Sequence, residues 1–409
     1  MTGKPACDRD GGGVTIAGVS HPFDTVTVES LRARGGVKWT LHGDDHLGAF
    51  VAEMDFGTAP PILAALHAAV DGMNFGYLSP GLAEPMALAC ADWQRRHYGW
   101  TVPPERIFPL PDVVKGLEVA IEHFSPPGAP VILPTPAYMP FLQVPGMLGR
   151  ELLQVPMARD GDRYVFDLGA LAAAFRAGGH LLVLCNPGNP IGRVFTEAEL
   201  TAVCEVVDAH GGRVFSDEIH APLVYPGHHH VPYASLSGTA AGHTITATSA
   251  SKAWNLPGLK CAQLITSNDA DAGRFAEVGL LAMHGASNLG VVANTAAYTE
   301  GEPWLADVLA YLARNRAALG DLLAEHLPGV RCALPEGTYL AWLDFRELGL
   351  GDHPGTFFAE HARVVLVDGP ECGDPGRGHA RLNFATPAPI LERAVTGMAA
   401  AVRAAGAGA

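Results

Sequence analysis

Apolar runs of strand length alternate with amphipathic stretches through the middle of the chain. Apolar positions three and four apart predict helices over residues 60–73 (Ile62, Leu63, Leu66, Val70) and 113–124 (Val114, Leu117, Ala120, Ile121). Short continuous apolar runs predict buried parallel strands at 130–133, 181–185, 213–216, 244–248 and 261–265. Helical patterns at 168–177, 196–209 and 270–281 lie between several of them. Such alternation predicts an α/β fold with an open, mostly parallel sheet between helices, placed at residues 61–285. From 286 to 409 the pattern changes. Two helical stretches (289–300, 303–326) precede strands near 338–345, 364–367 and 381–384 and a last helix, which predicts a smaller α+β domain that residues 1–60 join.

Composition narrows this picture. A chain of 409 residues with 48% apolar and 17% charged residues has material for two packed domains and no disorder signature. The formal charge of −15 argues against a nucleic-acid partner. The opening Met1-Thr-Gly-Lys-Pro-Ala-Cys-Asp-Arg-Asp-Gly-Gly-Gly has no apolar core, and is expected to be a loose tail and not a secretory signal. The Ala/Gly run after Arg403 is expected to fray. Residues 126–149 carry no charge but contain seven prolines, so no membrane helix is expected there. Seven scattered cysteines without a C-x-x-C pair fit reduced thiols of a cytoplasmic protein and no zinc site. His228-His-His230, in a loop begun by Pro226-Gly227, is expected to be exposed and not a metal site.

Candidate chemistry sits after the strands, where open α/β sheets bind ligands. The glycine-rich dinucleotide and P-loop motifs, the H-E-x-x-H motif and the G-x-S-x-G motif are all absent. The first strand-end loop is Asn186-Pro-Gly-Asn-Pro-Ile-Gly192, which alone reads as turn chemistry. The second begins Asp217-Glu-Ile-His220, where an acid alone reads as a helix cap. The third is Ser249-Ala-Ser-Lys252, followed eight residues later by Lys260. Only five lysines occur in the chain (Lys4, Lys38, Lys115, Lys252, Lys260), so two in one strand-end loop stand out. Lys115 reads as an exposed helix residue.

Together the three loops fit pyridoxal 5'-phosphate, which needs an imine-forming lysine, an acid for its ring nitrogen and a phosphate anchor. Lys252 supplies the amine, its pKa lowered by burial, and Asp217 the acid. Asn189 can donate to the ring's phenolate oxygen, with His220 beside it. The start of the 113–124 helix, with Ser249 and Lys260, offers a phosphate cradle. Tyr138 can stack on the ring or belong to the core.

Eight segments carry a family resemblance: Val51-Ala-Glu-Met-Asp-Phe56, Phe75-Gly-Tyr77, Leu110-Pro-Asp-Val-Val114, Cys185-Asn-Pro-Gly-Asn-Pro190, Ser216-Asp-Glu-Ile-His220, Ser249-Ala-Ser-Lys252, Pro335-Glu-Gly-Thr-Tyr-Leu340 and Arg381-Leu-Asn-Phe384. In this order and spacing the chain resembles fold-type I pyridoxal-phosphate enzymes of the class I/II aminotransferase superfamily. Within it, the chain is most similar to the MalY/PatB branch of cystathionine β-lyases (cysteine-S-conjugate C–S lyases). The resemblance implies a large domain with a seven-stranded sheet. It makes Lys252 the Schiff-base lysine and Asp217 the partner of the ring nitrogen. Asn189 would meet the phenolate oxygen and Tyr138 the ring face. The amides of Val113 and Val114, with Ser249 and Lys260, would hold the phosphate. Arg381 would grip the substrate α-carboxylate, with Asp55 also on the substrate side. Tyr77 would reach a neighbouring subunit's cofactor, which implies a homodimer with shared active sites.

The implied reaction is α,β-elimination on an L-cysteine S-conjugate, giving a thiol, pyruvate and ammonia. The same lysine and acid also serve transamination or decarboxylation-coupled deamination in natural-product biosynthesis. A non-catalytic regulator on the same scaffold is a further reading. The chain departs from the branch at Gly188, where many relatives have histidine, and at Glu371, Cys372 and Asp374, where relatives are more apolar.

Overall fold

Seven strands assemble into one mixed sheet in this computed structural model, which describes residues 21–406. They are β1 (Ile107–Leu110), β2 (Val131–Thr135), β3 (Leu152–Pro156), β4 (Leu181–Cys185), β5 (Arg213–Asp217), β6 (Thr244–Thr248) and β7 (Ala262–Thr266), ordered β1-β7-β6-β5-β4-β2-β3. The predicted N-terminal tail, with Lys4 and Cys7, lies outside the described residues, as do 407–409 of the terminal Ala/Gly run.

The apolar runs are continuous because both faces of the sheet are covered. Alternate residues of each strand enter different cores. Val131, Leu133, Leu181, Val183, Phe215 and Ile245 pack on one face, under the helix Val113–His123. Ile132, Leu182, Leu184 and Val214 pack on the other, against Leu200, Val203 and Val207 of the helix Glu197–Ala209.

A second sheet joins β8 (Leu340–Asp344), β9 (Val367–Asp368) and β10 (His379–Asn383) in the order β8-β10-β9, all antiparallel. Beside it the segment Leu47–Gly48 pairs in parallel with Val364–Val365. The helices Glu302–His326 and Ala388–Ala404 share the core that holds Leu340, Leu382, Val364 and Leu47.

Three expectations change. The strand predicted at 261–265 is antiparallel to both its neighbours. The connection from β6 carries only a single turn, Pro257–Leu259, and without a crossover helix the chain returns in the opposite direction. The two edge strands, β1 and β3, were not legible as apolar runs, because Pro109 breaks one and Gln154 and Pro156 the other. The predicted strand at 364–367 is two short ones, Val364–Val365 and Val367–Asp368, which serve different sheets. No helix among the described residues is by itself long and apolar enough to cross a membrane.

Candidate active site

Register brings the three strand-end loops together. Cys185 lies opposite Asp217 across β4 and β5, and Asp217 opposite Ala247 across β5 and β6. The loops carrying Asn189, Asp217 and Lys252 therefore leave the sheet side by side at its carboxyl edge.

Lys252 Nζ donates to the carbonyl of Ala52 at 2.8 Å. Burial brings its pKa down to about 8, and the Arg381 charge pushes the same way. Asp217 is buried, and its pKa is raised to about 6 by burial. The Ile219 N–H, 3.1 Å from Oδ1, and the Cys185 thiol, 3.5 Å from Oδ2, offset part of that rise. An amine that loses its proton near neutrality thus shares an enclosed site with a carboxylate, a pairing suited to proton transfer.

Arg381, on β10, is 2% exposed. Its Nη1 donates to Asn189 Oδ1 at 2.8 Å and its Nη2 to the Phe50 carbonyl at 2.6 Å, while Nε has no partner among the described residues. His220 is buried with Nδ1 likewise free, its ring 5.9 Å from that of Tyr339. Burial, and then the charges of Lys252 and Arg381, push its pKa well down, so the ring is neutral at neutral pH. Tyr138 caps the helix Met139–Met147, half-buried, within reach of the charges of Arg381, Asp217 and Asp112.

The helix Val113–His123 points its N-terminus at the same edge. Asp112 caps it by accepting from the Lys115 N–H at 2.9 Å, which leaves the first N–H groups of Val113 and Val114 free of intrahelical bonds. Lys260 Nζ sits 3.0 Å from Asp112 Oδ2 at this terminus. Ser249 is buried, and its hydroxyl donates to the Cys261 carbonyl at 2.7 Å while accepting from Ser251 N–H at 2.9 Å. Lys115 pairs with Glu118 along its own helix.

Two residues stand apart from this cluster. Asp55, expected on the substrate side, has both carboxylate oxygens engaged inside the fold: Lys38 Nζ at 2.9 Å and Trp39 Nε1 at 2.8 Å. Lys38 is itself buried, so this ion pair is internal and leaves Asp55 no free edge for a ligand. Tyr77 is 90% exposed, its ring 5.8 Å from His284 on the outer surface.

The structure also places the residues at which the chain departs from the branch, and the histidine run. Glu371 and Asp374 are exposed, and Cys372 is buried with its carbonyl accepting from Ala137 N–H. His230 is buried and not exposed, its Nε2 3.2 Å from Glu218 Oε2.

The residues that build the opposite wall were not singled out from the sequence. Asn255, at φ 59°, accepts from Met54 N–H at 2.8 Å and donates to the Met54 carbonyl at 2.8 Å, which fastens segment 50–55 to the Lys252 loop. Tyr339 donates to the same Ala52 carbonyl as Lys252, at 2.9 Å. An asparagine three residues after the lysine was the available signal, since Asn tolerates positive φ better than most residues.

Comparison with known proteins agrees with this architecture. The family model for aminotransferase class I and II matches residues 51–397. The cystathionine β-lyase of Corynebacterium glutamicum is 40% identical over 367 residues, covering 89% of this chain and 96% of that protein. Cystathionine β-lyase PatB of Bacillus subtilis is 34% identical, covering 85% of this chain and 91% of its own length. The crystal structure of cystalysin from Treponema denticola, which contains pyridoxal 5'-phosphate, superposes with a TM-score of 0.88 at 27% identity, covering 95% of this chain and all of that one.

Proposed function

The chain belongs to the aminotransferase class I and II family, and from that premise we propose that it is a carbon–sulfur lyase carrying pyridoxal 5'-phosphate. Its substrate is an L-cysteine S-conjugate of the cystathionine kind, and its products are a thiol, pyruvate and ammonia. The observation that carries the reading is Lys252: an amine with its pKa brought down to about 8, in one cleft with Asp217 and Arg381.

The residues present fit the cofactor. His220 Nδ1 and Arg381 Nε are buried polar atoms without partners among the described residues, beside a carboxylate able to accept from a ring N–H and a helix start with free amides. Pyridoxal phosphate, when bound, supplies a carbonyl that captures the substrate amine and a protonated ring that draws electrons from the Cα–H bond. The Val113 and Val114 amides and Lys260 would hold its phosphate, with Ser249 buttressing the loop. Asp217 would keep the ring nitrogen protonated, and Tyr138 would lie against the ring. Arg381 binds the substrate α-carboxylate through its planar fork, with Asn189 fixing the guanidinium from the other side. Lys252 Nζ takes the Cα proton, and its depressed pKa leaves it part-neutral at physiological pH.

We also propose a homodimer in which Tyr77 completes the partner's site. Its exposure, beside exposed Met73, Phe75, Leu280 and Leu281, supports this. The free thiols support a reducing compartment, and we place the protein in the cytoplasm.

Incubation of the purified, cofactor-loaded protein with L-cystathionine tests the lyase reading. Pyruvate and homocysteine are expected in equal amounts, with turnover falling by about three orders of magnitude in Lys252→Ala. A keto acid that retains sulfur, or an aldehyde with released carbon dioxide, would instead identify the transaminase or decarboxylating reaction.

A further inference from the structure

The carbonyls of segment 50–53 divide between two sets of partners. Those of Val51 and Glu53 accept from Asn383 Nδ2, at 2.6 and 2.7 Å. Those of Phe50 and Ala52 accept from Arg381 Nη2 and Lys252 Nζ, at 2.6 and 2.8 Å. The Ala52 oxygen alone meets a second side-chain donor, the Tyr339 hydroxyl at 2.9 Å. No other donor among the described residues reaches that oxygen. A carbonyl oxygen has two lone pairs, so the lysine and the tyrosine between them fill it.

Tyr339 is wholly buried just before β8, its ring 5.9 Å from that of His220 and its carbonyl accepting from Phe384 N–H at 3.0 Å. The preceding residue, Thr338, has φ 66°, a conformation that β-branched residues rarely adopt. Its surroundings hold it there. Its N–H donates to the Leu223 carbonyl at 2.7 Å, its carbonyl accepts from the Tyr225 hydroxyl at 2.7 Å, and its own hydroxyl accepts from Leu340 N–H at 3.1 Å. Strain maintained in this way collects at functional positions, and here it immediately precedes the tyrosine that meets the lysine's acceptor. Burial pushes the Tyr339 pKa up, so the hydroxyl remains a donor across the range in which Lys252 titrates.

We propose that Tyr339 is a positioning residue for proton transfer by Lys252: its hydroxyl keeps the Ala52 carbonyl satisfied while the amine is away, so that Lys252 leaves this acceptor at little cost and finds it in place on return. The inference rests on the lyase reading, which gives Lys252 the Cα proton, and deepens it. In that step the Cα–H bond breaks, its electrons stay with the carbon, and Nζ gains the proton to become the ammonium that donates to the carbonyl. Without the hydroxyl, departure of the amine would strand a buried acceptor, and the ammonium would be held at the carbonyl more firmly.

Tyr339→Phe removes only the donor. The charges that act on Nζ, those of Arg381, Glu53, Asp217 and Lys260, stay as they are. With L-cystathionine as substrate, the acid limb of kcat against pH should rise by about one pH unit. At pH 7 kcat should fall about tenfold with KM little changed, and the kinetic isotope effect of α-deuterated cystathionine should grow. 3-Fluorotyrosine at position 339 keeps the hydroxyl and strengthens it as a donor, so it should move the limb downward, and it carries the test if the phenylalanine variant does not fold. In cofactor-free protein, the pH at which Lys252 becomes open to acetylation, read by mass spectrometry, should rise in Tyr339→Phe by the same amount as the limb. A loss of kcat with the limb, the isotope effect and the acetylation profile unmoved, or a limb that fluorotyrosine leaves in place or raises, overturns the proposal. Acetylation requires no turnover, so it decides the role of Tyr339 even where the wild-type protein forms no pyruvate from cystathionine, the result that overturns the lyase reading instead.

Discussion

At the scale of single residues, the site keeps charges where the fold alone would not choose them. Lys252 releases its proton near pH 8 when folded, against 10.5 for an ordinary lysine. The unfolded chain therefore binds more protons between those values, and stability rises with pH across that window. Below it, the buried ammonium opposes folding in full. Lys252→Met should accordingly stabilise the cofactor-free protein at pH 7 by about 1–3 kcal/mol, with the gain shrinking from pH 8 to 10.5. Urea unfolding at a series of pH values reads this directly, and a gain that ignores pH would trace it to packing. Asp217 has the opposite sign. Its pKa of about 6 against an ordinary 3.8 means the folded chain holds the extra proton in that window, so stability falls as pH rises through it. The placing of these two residues in one site was legible because strand ends in open α/β sheets collect ligand groups. The buried pairing of Asp55 with Lys38 was not, since residues seventeen apart in sequence give no sign that they meet.

At the scale of elements, one junction joins the two sheets. Arg193, buried at the end of the Asn189 loop, donates to Glu336 Oε2 at 2.9 Å and to Glu199 Oε1 at 2.9 Å. Val194 N–H donates to the same Glu336 oxygen, and the Glu336 and Gly337 amides both reach the Gly192 carbonyl. Gly192 has φ 66° and its Cβ position falls 2.6 Å from the Pro335 side chain, so no larger residue fits this crossing. Glu336→Ala strips a buried arginine of one counter-charge and should cost about 3 kcal/mol, measured by chemical denaturation. A loss below about 1 kcal/mol would mean that Glu199 alone satisfies Arg193. Interior strands and most helices of the large sheet were readable because burial on both faces leaves a continuous apolar run. Edge strands carry prolines and polar residues, and strand direction is decided by the connection, not by the run.

At the scale of the whole molecule, the site draws on both sheets and on segment 50–55, and the proposed dimer adds a residue from outside the chain. Co-expressed Lys252→Ala and Tyr77→Ala chains should regain activity that neither homodimer has, because mixed dimers hold one site with both residues intact. Activity in the mixture no higher than in the separate variants would place Tyr77 outside the site. Local sequence determined the alternation of strands and helices, the strand-end loops and the family motifs, because periodicity and turn chemistry are properties of neighbouring residues. Tertiary structure alone decided that β7 runs antiparallel, that Asp55 is paired internally, and that Glu371 and Asp374 face solvent. Each of these depends on what packs against a residue from a distant part of the chain, and Lys252 and the Ala52 carbonyl it touches are two hundred residues apart.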